Sequence, residues 1–489
     1  MSSISSHGII LQAGSLALAV LLLQLLWRAY RTPLRRIPGP FYARFTHLWL
    51  KKHVVLGRRM HYVHDLHQRY GPIVRISPHE IAIADPAAFQ EIHRSGSGYL
   101  KSPWYSSFRQ GESADVFSMI DPHEHAKRRR LLAPLFSNSA ITQNWDSVIV
   151  DKISMTVDKM KDELSRDGQL DVFKWWTLMT ADVISHLAFG EPFGMLDKGE
   201  KTSAMQKIED ATKYGGFNSE LPVLAKMLHY IPNRAIQDFV TADADVQRFA
   251  EETMRRVRFD GIKGANMFSR IVSENEKEDA TLTDYEVAFE AAGFIVAGSG
   301  TTAVTLTYIV WAVLSHRAVQ AKLEAEVGAL PEDYTDEDLK KLPYLSAVIE
   351  ETLRLYGAAP GALPRTVPKG GATLGGYYIP EGITVSTQAF SLHRDARIYD
   401  APESFVPERF LTEKGEFQAS SKVAFHPFGA GTRTCLGIHL ARMELRHGTA
   451  LYFRTFKGSR LAPQTTPESM DMVNHFLISP KAEQCWVTN

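Results

Sequence analysis

At 489 residues, 44% of them hydrophobic, the chain is long enough to bury a large core. Its 55 basic and 55 acidic residues cancel, which leaves no electrostatic footprint for nucleic acid. Two cysteines, Cys435 and Cys485, exclude a disulfide framework, show no paired spacing for zinc and fit a reducing compartment.

The first feature along the chain is an uncharged stretch, Ile9 to Trp27, rich in Leu, Ala, Val and Ile. Its 19 residues rise about 1.5 Å each, enough to cross the hydrocarbon core of a bilayer. A buried helix or a cleavable leader are the other readings, but a leader carries its basic residues first. Here Arg28, Arg31, Arg35 and Arg36 follow the apolar run, and no cleavage site does. The stretch reads as an uncleaved signal anchor, with residues 1–8 across the membrane and the body in the cytosol. Residues 28–40 form a basic linker closed by Pro38-Gly39-Pro40, and residues 41–489 one large domain without repeats.

Ile73-Val74-Arg75-Ile76 and Ile81-Ala82-Ile83 flank Pro78 as a predicted hairpin. Tyr99, Trp104, Tyr105, Phe108 and Phe117 then gather aromatic rings into one stretch. Asp121-Pro122 starts a helix carrying His125, Lys127, Arg128, Arg129 and Arg130, a solvated basic face or a binding one. Helical spacing from Ile141 through Trp145, Ile149, Ile153, Val157 and Met160 to Leu164 predicts a long helix stopped at Gly168. A second helix follows through Asp171 to Phe189, and the acidic run Glu274 to Asp279 reads as a solvated loop.

A long apolar helix is predicted from Glu286 to Leu314, interrupted at Gly298 and Gly300 beside Thr301 and Thr302. Each interior glycine costs about 1 kcal/mol, so the pair needs a reason: close helix packing, or a distortion that opens a groove. The predicted helix Leu345 to Tyr356 holds Glu351 and Arg354 three apart, on one face, where they can pair. Small residues follow at Ala358, Ala359, Gly361 and Ala362, then Arg365. A second sheet region is expected over Thr373 to Gln388, with turns at Gly375-Gly376 and Pro380-Glu381-Gly382. Helices with small sheets make the fold mainly α with minor β, an α+β class.

Near the C-terminus, Phe428-Gly-Ala-Gly-Thr-Arg-Thr-Cys435-Leu-Gly437 reads F-x-x-G-x-R-x-C-x-G. The glycines allow tight turns and leave amide N–H groups to point at one thiolate, Cys435. Arg433 adds positive charge two residues earlier. Cys485, in Gln-Cys-Trp, reads as a packed strand residue without chemistry. A glycine-rich surface loop with an incidental cysteine is the bland alternative.

This loop resembles the haem-ligating loop of the cytochrome P-450 monooxygenases. Three further segments stand in that family's order: Ala297-Gly-Ser-Gly-Thr-Thr302, Glu351-Thr-Leu-Arg354 and Pro407-Glu-Arg-Phe410. The resemblance runs from the anchor to the final strands. Pro360 to Arg365 and Ser391 to Asp395 resemble fungal members that tailor secondary metabolites. The resemblance implies a triangular, helix-rich prism with haem b buried between the long central helix and the cysteine loop. Cys435 would be the axial thiolate on iron, with Phe428, Gly429, Gly437 and Ala297 around the haem. Arg433, His125, Arg129 and Arg365 would hold its propionates. Glu351, Arg354 and Arg409 would form a buried structural triad, and Thr301 with Thr302 the oxygen side. The family's acid before the threonines is replaced by Gly300, so protons are expected through a water chain, Ser299 or a substrate hydroxyl, with slower oxygen activation.

Further implications are insertion of one oxygen atom from O2 into a substrate and electrons from NADPH through a separate cytochrome P-450 reductase, with cytochrome b5 as a second donor. The expected location is the endoplasmic reticulum membrane. Lys127, Arg128, Arg442 and Arg446 are candidates to face the electron donor. Phe117, Phe294, Ala297, Ala359 and Phe476 make the expected pocket, with aromatic and small walls suited to a polycyclic, mostly neutral polyketide, terpenoid or indole-derived metabolite. Rival readings are desaturation, ring closure or coupling at the same site, a non-catalytic membrane haem sensor, and a hydrolase using Cys435 with His426 or His439.

Overall fold

The computed structural model describes residues 6–489 except 109–113, 421–422 and much of 243–281. The predicted acidic loop Glu274 to Asp279 and residues 1–5 of the expected N-terminal tail lie outside the described residues. Helices dominate, and the predicted ones are present. Asn138–Asp167 is capped by the Ser137 hydroxyl, which accepts from Ala140 N–H, and stopped by Gly168 at φ 71°. That left-handed turn is cheap only for glycine. Val172–Phe189 is capped by Asp171 and stopped by Gly190 at φ 84°.

The central helix, Asp284–Ser315, starts with a reciprocal cap between Thr283 and Glu286. It is apolar almost all round, which marks a helix enclosed by others. Over Tyr285–Ser315 it is long and apolar enough to cross a membrane, yet two thirds of it is buried in this domain, as a core helix is. Its largest neighbour is Val172–Phe189. Beneath it run Pro343–Tyr356 and Ile438–Thr455.

The predicted break in this helix is absent: the helix is continuous through Gly298 and Gly300. The two glycines have different reasons. A Cβ at 298 would lie 2.7 Å from Ile184 Cγ1, so this glycine lets Val172–Phe189 pack close. Beside it, the Thr180 hydroxyl sits 2.5 Å from the Ser299 carbonyl oxygen. A Cβ at 300 would meet only Leu477, at 3.5 Å, so that glycine keeps a face open.

The strands in chain order are β1 (Ile73–Ser77), β2 (Glu80–Ile83), β3 (Leu100–Lys101), β4 (Leu170–Asp171), β5 (Ala362–Thr366), β6 (Ala372–Leu374), β7 (Tyr377–Ile379), β8 (Thr384–Gln388), β9 (Arg460–Leu461), β10 (Met472–Asn474), β11 (Ile478–Pro480) and β12 (Trp486–Thr488). β1 and β2 form the predicted hairpin. The expected second sheet is not separate, because β8 pairs parallel with β2 and antiparallel with β5, giving one sheet in the order β1-β2-β8-β5-β3. Of the predicted second region, the β6–β7 hairpin stands apart from it, as do the separate sheets β10-β11 and β4-β12-β9. Cys485 is fully buried and precedes β12, as expected of a packing residue.

Gly298→Ala should destabilise the fold by about 1–3 kcal/mol through overpacking against Ile184. Urea unfolding of Gly298→Ala, Ile184→Ala and the double variant checks this, since relief of the clash makes the double variant less unstable than the sum of the singles.

Candidate active site

The cysteine loop is a tight hairpin. Cys435 N–H donates to the Phe428 carbonyl at 2.9 Å, and Gly429 N–H to the His426 carbonyl at 3.0 Å. Gly429 and Gly431 sit at φ 73° and 64°. At 431 a Cβ would fall 1.9 Å from the His93 carbonyl oxygen, so no other residue fits there. The loop leads into Ile438–Thr455 and sets Cys435 at the positive end of that helix. Burial pushes the Cys435 thiol up, while Gly437 N–H and the Arg129 guanidinium pull it back down. The side chain is accessible and yet enclosed by protein, so it opens onto an interior space.

Around that space stand cations in excess of anions. Arg129 donates to the Thr434 carbonyl at 2.8 Å, and Arg433 to those of Met119 at 2.8 Å and Ile120 at 3.2 Å. His125, on the basic helix Pro122–Leu132, is buried, and burial with repulsion from Arg433 pushes it down to about 3. Arg365 is buried with no partner for Nε among the described residues. Opposite it across the β3–β5 ladder lies Lys101, which the sequence reading missed. Burial, then Arg433 and Arg365, hold the Lys101 ammonium well below its ordinary range. Burial and then Arg365 lower Arg433 to about 10. Like charges facing each other across strands repel, and buried ones are costly without a counter-ion. These residues fit a dianionic group such as the two propionates of haem, with Cys435 as the ligand to its iron.

The central helix supplies the other wall. Gly293, Ala297 and Gly300 recur along one stripe of it, and Ala297 is exposed although the helix is largely buried. The Thr301 hydroxyl donates to the Ala297 carbonyl at 2.7 Å. Thr302 points elsewhere: it is buried and hydrogen-bonds Glu444, whose carboxyl burial has pushed up to about 8. Phe294 likewise turns into the core, 5.1 Å from the Phe136 ring. The Phe117 and Phe476 rings pack on each other at 5.4 Å and are joined by Trp104, Tyr105 and Phe108. Phe476 takes φ 123° at the β10–β11 turn, a strained backbone that aims the ring inward. Beside it a cavity of about 300 Å³ is lined by Trp104, Phe476, Ala359 and Leu363. Neither Cys435 nor Thr301 lines that cavity, so it is not the reacting centre.

Glu351 and Arg354 make two parallel hydrogen bonds, 2.7 and 2.8 Å, and Arg409 reaches Glu351 at 3.0 Å. Arg354 also donates to the carbonyls of His393, Pro402 and Ser404, so the buried charges are fully partnered. Three of the cations proposed to face an electron donor are engaged internally: Arg128 with Glu286 and Glu290, Arg442 with Glu350, Arg446 with Asp336. Lys127 is exposed. Among the described residues, no hydrogen bond joins His426 or His439 to Cys435, which removes the base a cysteine hydrolase needs.

A cysteine at a helix start, a cluster of cations without ion pairs among the described residues and an open helix face fit a haem-thiolate enzyme. The cytochrome P-450 family profile matches residues 36–486. The chain is 41% identical to cytochrome P-450 monooxygenase tazI of Aspergillus terreus, over 97% of this chain and 98% of that one. It is 40% identical to cypX of Dothistroma septosporum, over 94% of this chain and 92% of that one. It is also 40% identical to stcB of Emericella nidulans, over 94% and 89%. This chain belongs to the cytochrome P-450 family and is a monooxygenase of it, which implies haem iron on a cysteine thiolate, a redox partner and a small-molecule substrate.

Lys101→Met should speed haem loss about tenfold while the protein stays folded, measured as haem transfer to a scavenging globin. Glu351→Gln should destabilise the fold by about 3–5 kcal/mol by stranding two arginines, read from the yield of folded, haem-loaded protein.

Proposed function

We propose that this protein inserts one oxygen atom of O2 into a bulky, mostly apolar secondary metabolite of polyketide, terpenoid or indole origin. The other oxygen atom leaves as water, with two electrons from NADPH through a cytochrome P-450 reductase and cytochrome b5 as a second donor. The observation that carries this reading is the pairing of the Cys435 loop with an open helix face under an aromatic lid. Haem supplies the oxygen chemistry, and a thiolate donor favours O–O cleavage over reversible binding. Cys435 holds the iron, with Gly437 N–H tuning the sulfur. Arg129, Arg433, Arg365, His125 and Lys101 hold the anionic edge by charge-assisted hydrogen bonds. Thr301 presents its hydroxyl on the open face as a proton donor and acceptor. Phe117, Phe476 and Trp104 exclude water and suit fused rings, and Ala359 leaves them room.

Gly300 favours a second reading. Where a carboxyl would relay protons, this helix has only an open face, so desaturation, ring closure or oxidative coupling can compete with hydroxylation at the same site. A haem sensor without catalysis has no use for this lid and cavity.

The proposed location is the endoplasmic reticulum membrane, with one span and the catalytic domain in the cytosol. Helix Ser6–Arg31 supports it: 26 residues at about 1.5 Å each exceed a bilayer core. Its Leu16, Val20, Leu23 and Leu26 are exposed, with Trp27 and Tyr30 at the basic end, where aromatic belts form. Tyr30 packs on Phe45, and exposed Phe41, Leu48, Trp49, Val223, Leu224 and Met227 extend the apolar surface onto the domain.

The reduced carbon monoxide difference spectrum should show a strongly red-shifted Soret band, absent in Cys435→Ala. Turnover under labelled dioxygen then separates the two readings, since hydroxylation places one labelled atom in the product and desaturation or coupling places none.

A further inference from the structure

Asp115 sits just before the turn that carries Phe117, against the central helix. Its Oδ1 accepts Ser118 N–H at 2.7 Å and the Ser118 hydroxyl, so that oxygen is fully used by the turn. The next residue is pinned to the same helix, with Val116 N–H donating to Glu290 at 2.9 Å, and Glu290 is held in turn by Arg128 at 2.6 Å. The other carboxylate oxygen, Oδ2, has no hydrogen-bond donor among the described residues. It rests where a side chain at Gly293 would be, 3.0 Å from the position of a Cβ there.

Gly293 shares its stripe of the helix with Ala297 and Gly300, the stripe that opens on the reacting centre. Asp115, like Cys435, keeps some accessible surface while protein encloses it, which places both on interior space. Burial favours the neutral acid, opposed by the Ser118 hydrogen bonds and the Lys101 cation. Arg128 pairs with Glu290 and the Lys101 cation acts on Asp115 only through space, so a neutral hydroxyl suits the site better than an ammonium. Gly293 and Thr301 are eight residues apart, about 12 Å along the axis, the length of a few fused rings.

We propose that Asp115 Oδ2 is the polar anchor of the substrate pocket. It accepts a hydrogen bond from a hydroxyl on the far ring of a polycyclic substrate and fixes which carbon lies near Thr301. Gly293 is the residue that gives this oxygen its opening. The proposal deepens the reading of the pocket as a site for bulky, mostly apolar molecules and rests on it.

The test uses the full-length holoenzyme and three probes of one shape: 2-hydroxyfluorene, 2-methoxyfluorene and fluorene, each titrated by the shift of the Soret band. The wild type should bind the hydroxyl compound about tenfold more tightly than the other two, the selectivity of one hydrogen bond. In Asp115→Asn the amide nitrogen replaces Oδ2, so the preference should fall to about onefold or turn toward the methoxy compound, with fluorene unchanged. Gly293→Ala, which crowds Oδ2 and keeps the charge, should lose the same preference. The carbon monoxide spectrum confirms that each variant is folded and loaded. Equal affinity of the wild type for all three probes, or an unchanged preference in both variants, overturns the anchor. Failure of the wild type to bind any probe overturns the bulky apolar pocket itself, and the anchor with it.

Discussion

The structure turns on an electrostatic debt around one buried space. Lys101 and Arg365 face each other across two paired strands, Arg433 and Arg129 close the ring, and His125 sits among them as a neutral imidazole. No folded chain gathers such charge in its interior without a reason, because each ion loses its hydration and repels the next. An anion with two separated negative groups would offset this mutual repulsion. The cation ring thus specifies a ligand by charge and spacing, and the cysteine specifies it again by chemistry. Two independent features that demand the same cofactor are stronger than a motif, which constrains only neighbours in sequence.

The remaining architecture keeps those groups in register. Arg365 and Lys101 belong to the five-stranded sheet, Arg129 and His125 to Pro122–Leu132, and Cys435 to the loop that leads into Ile438–Thr455. What fixes the lower half is the Glu351–Arg354–Arg409 group, buried but with its charges paired and bonded to four carbonyls and amides from the segment 393–406. Its energetic value lies less in net stability than in the cost of taking it apart, which locks the meander before the cysteine loop into one path.

Much of this was legible in the sequence, and the limits follow from physics. Spacing within one element carries far: the cap at Gly168, the Glu351–Arg354 pair and the turn-rich loop around Cys435 depend on neighbours a few residues away. Adjacent residues on a helix differ by about 100° in direction, so Thr301 and Thr302 share a motif while only one reaches the open face. The same geometry sends Phe294 into the core. Pairing across the chain was not legible. The register of a two-residue strand makes Lys101 a partner of Arg365, and a parallel contact between β2 and β8 merges two apparent sheets. Leu477 meets Gly300 for the same reason, through a hairpin far along the chain.

The central helix shows how one element carries two incompatible duties. Toward Val172–Phe189 it must pack as a core helix, and Gly298 removes the one Cβ that Ile184 would strike. Along another stripe Gly293, Ala297 and Gly300 carry a methyl group at most, which leaves that face open. Each glycine costs about 1 kcal/mol of helix propensity, and the helix remains continuous because tertiary packing along its whole length outweighs that sum. A carboxyl at position 300 would be easy to accommodate, with only Leu477 at van der Waals distance. Its absence is therefore not a steric necessity, and space in the pocket is what the missing side chain provides.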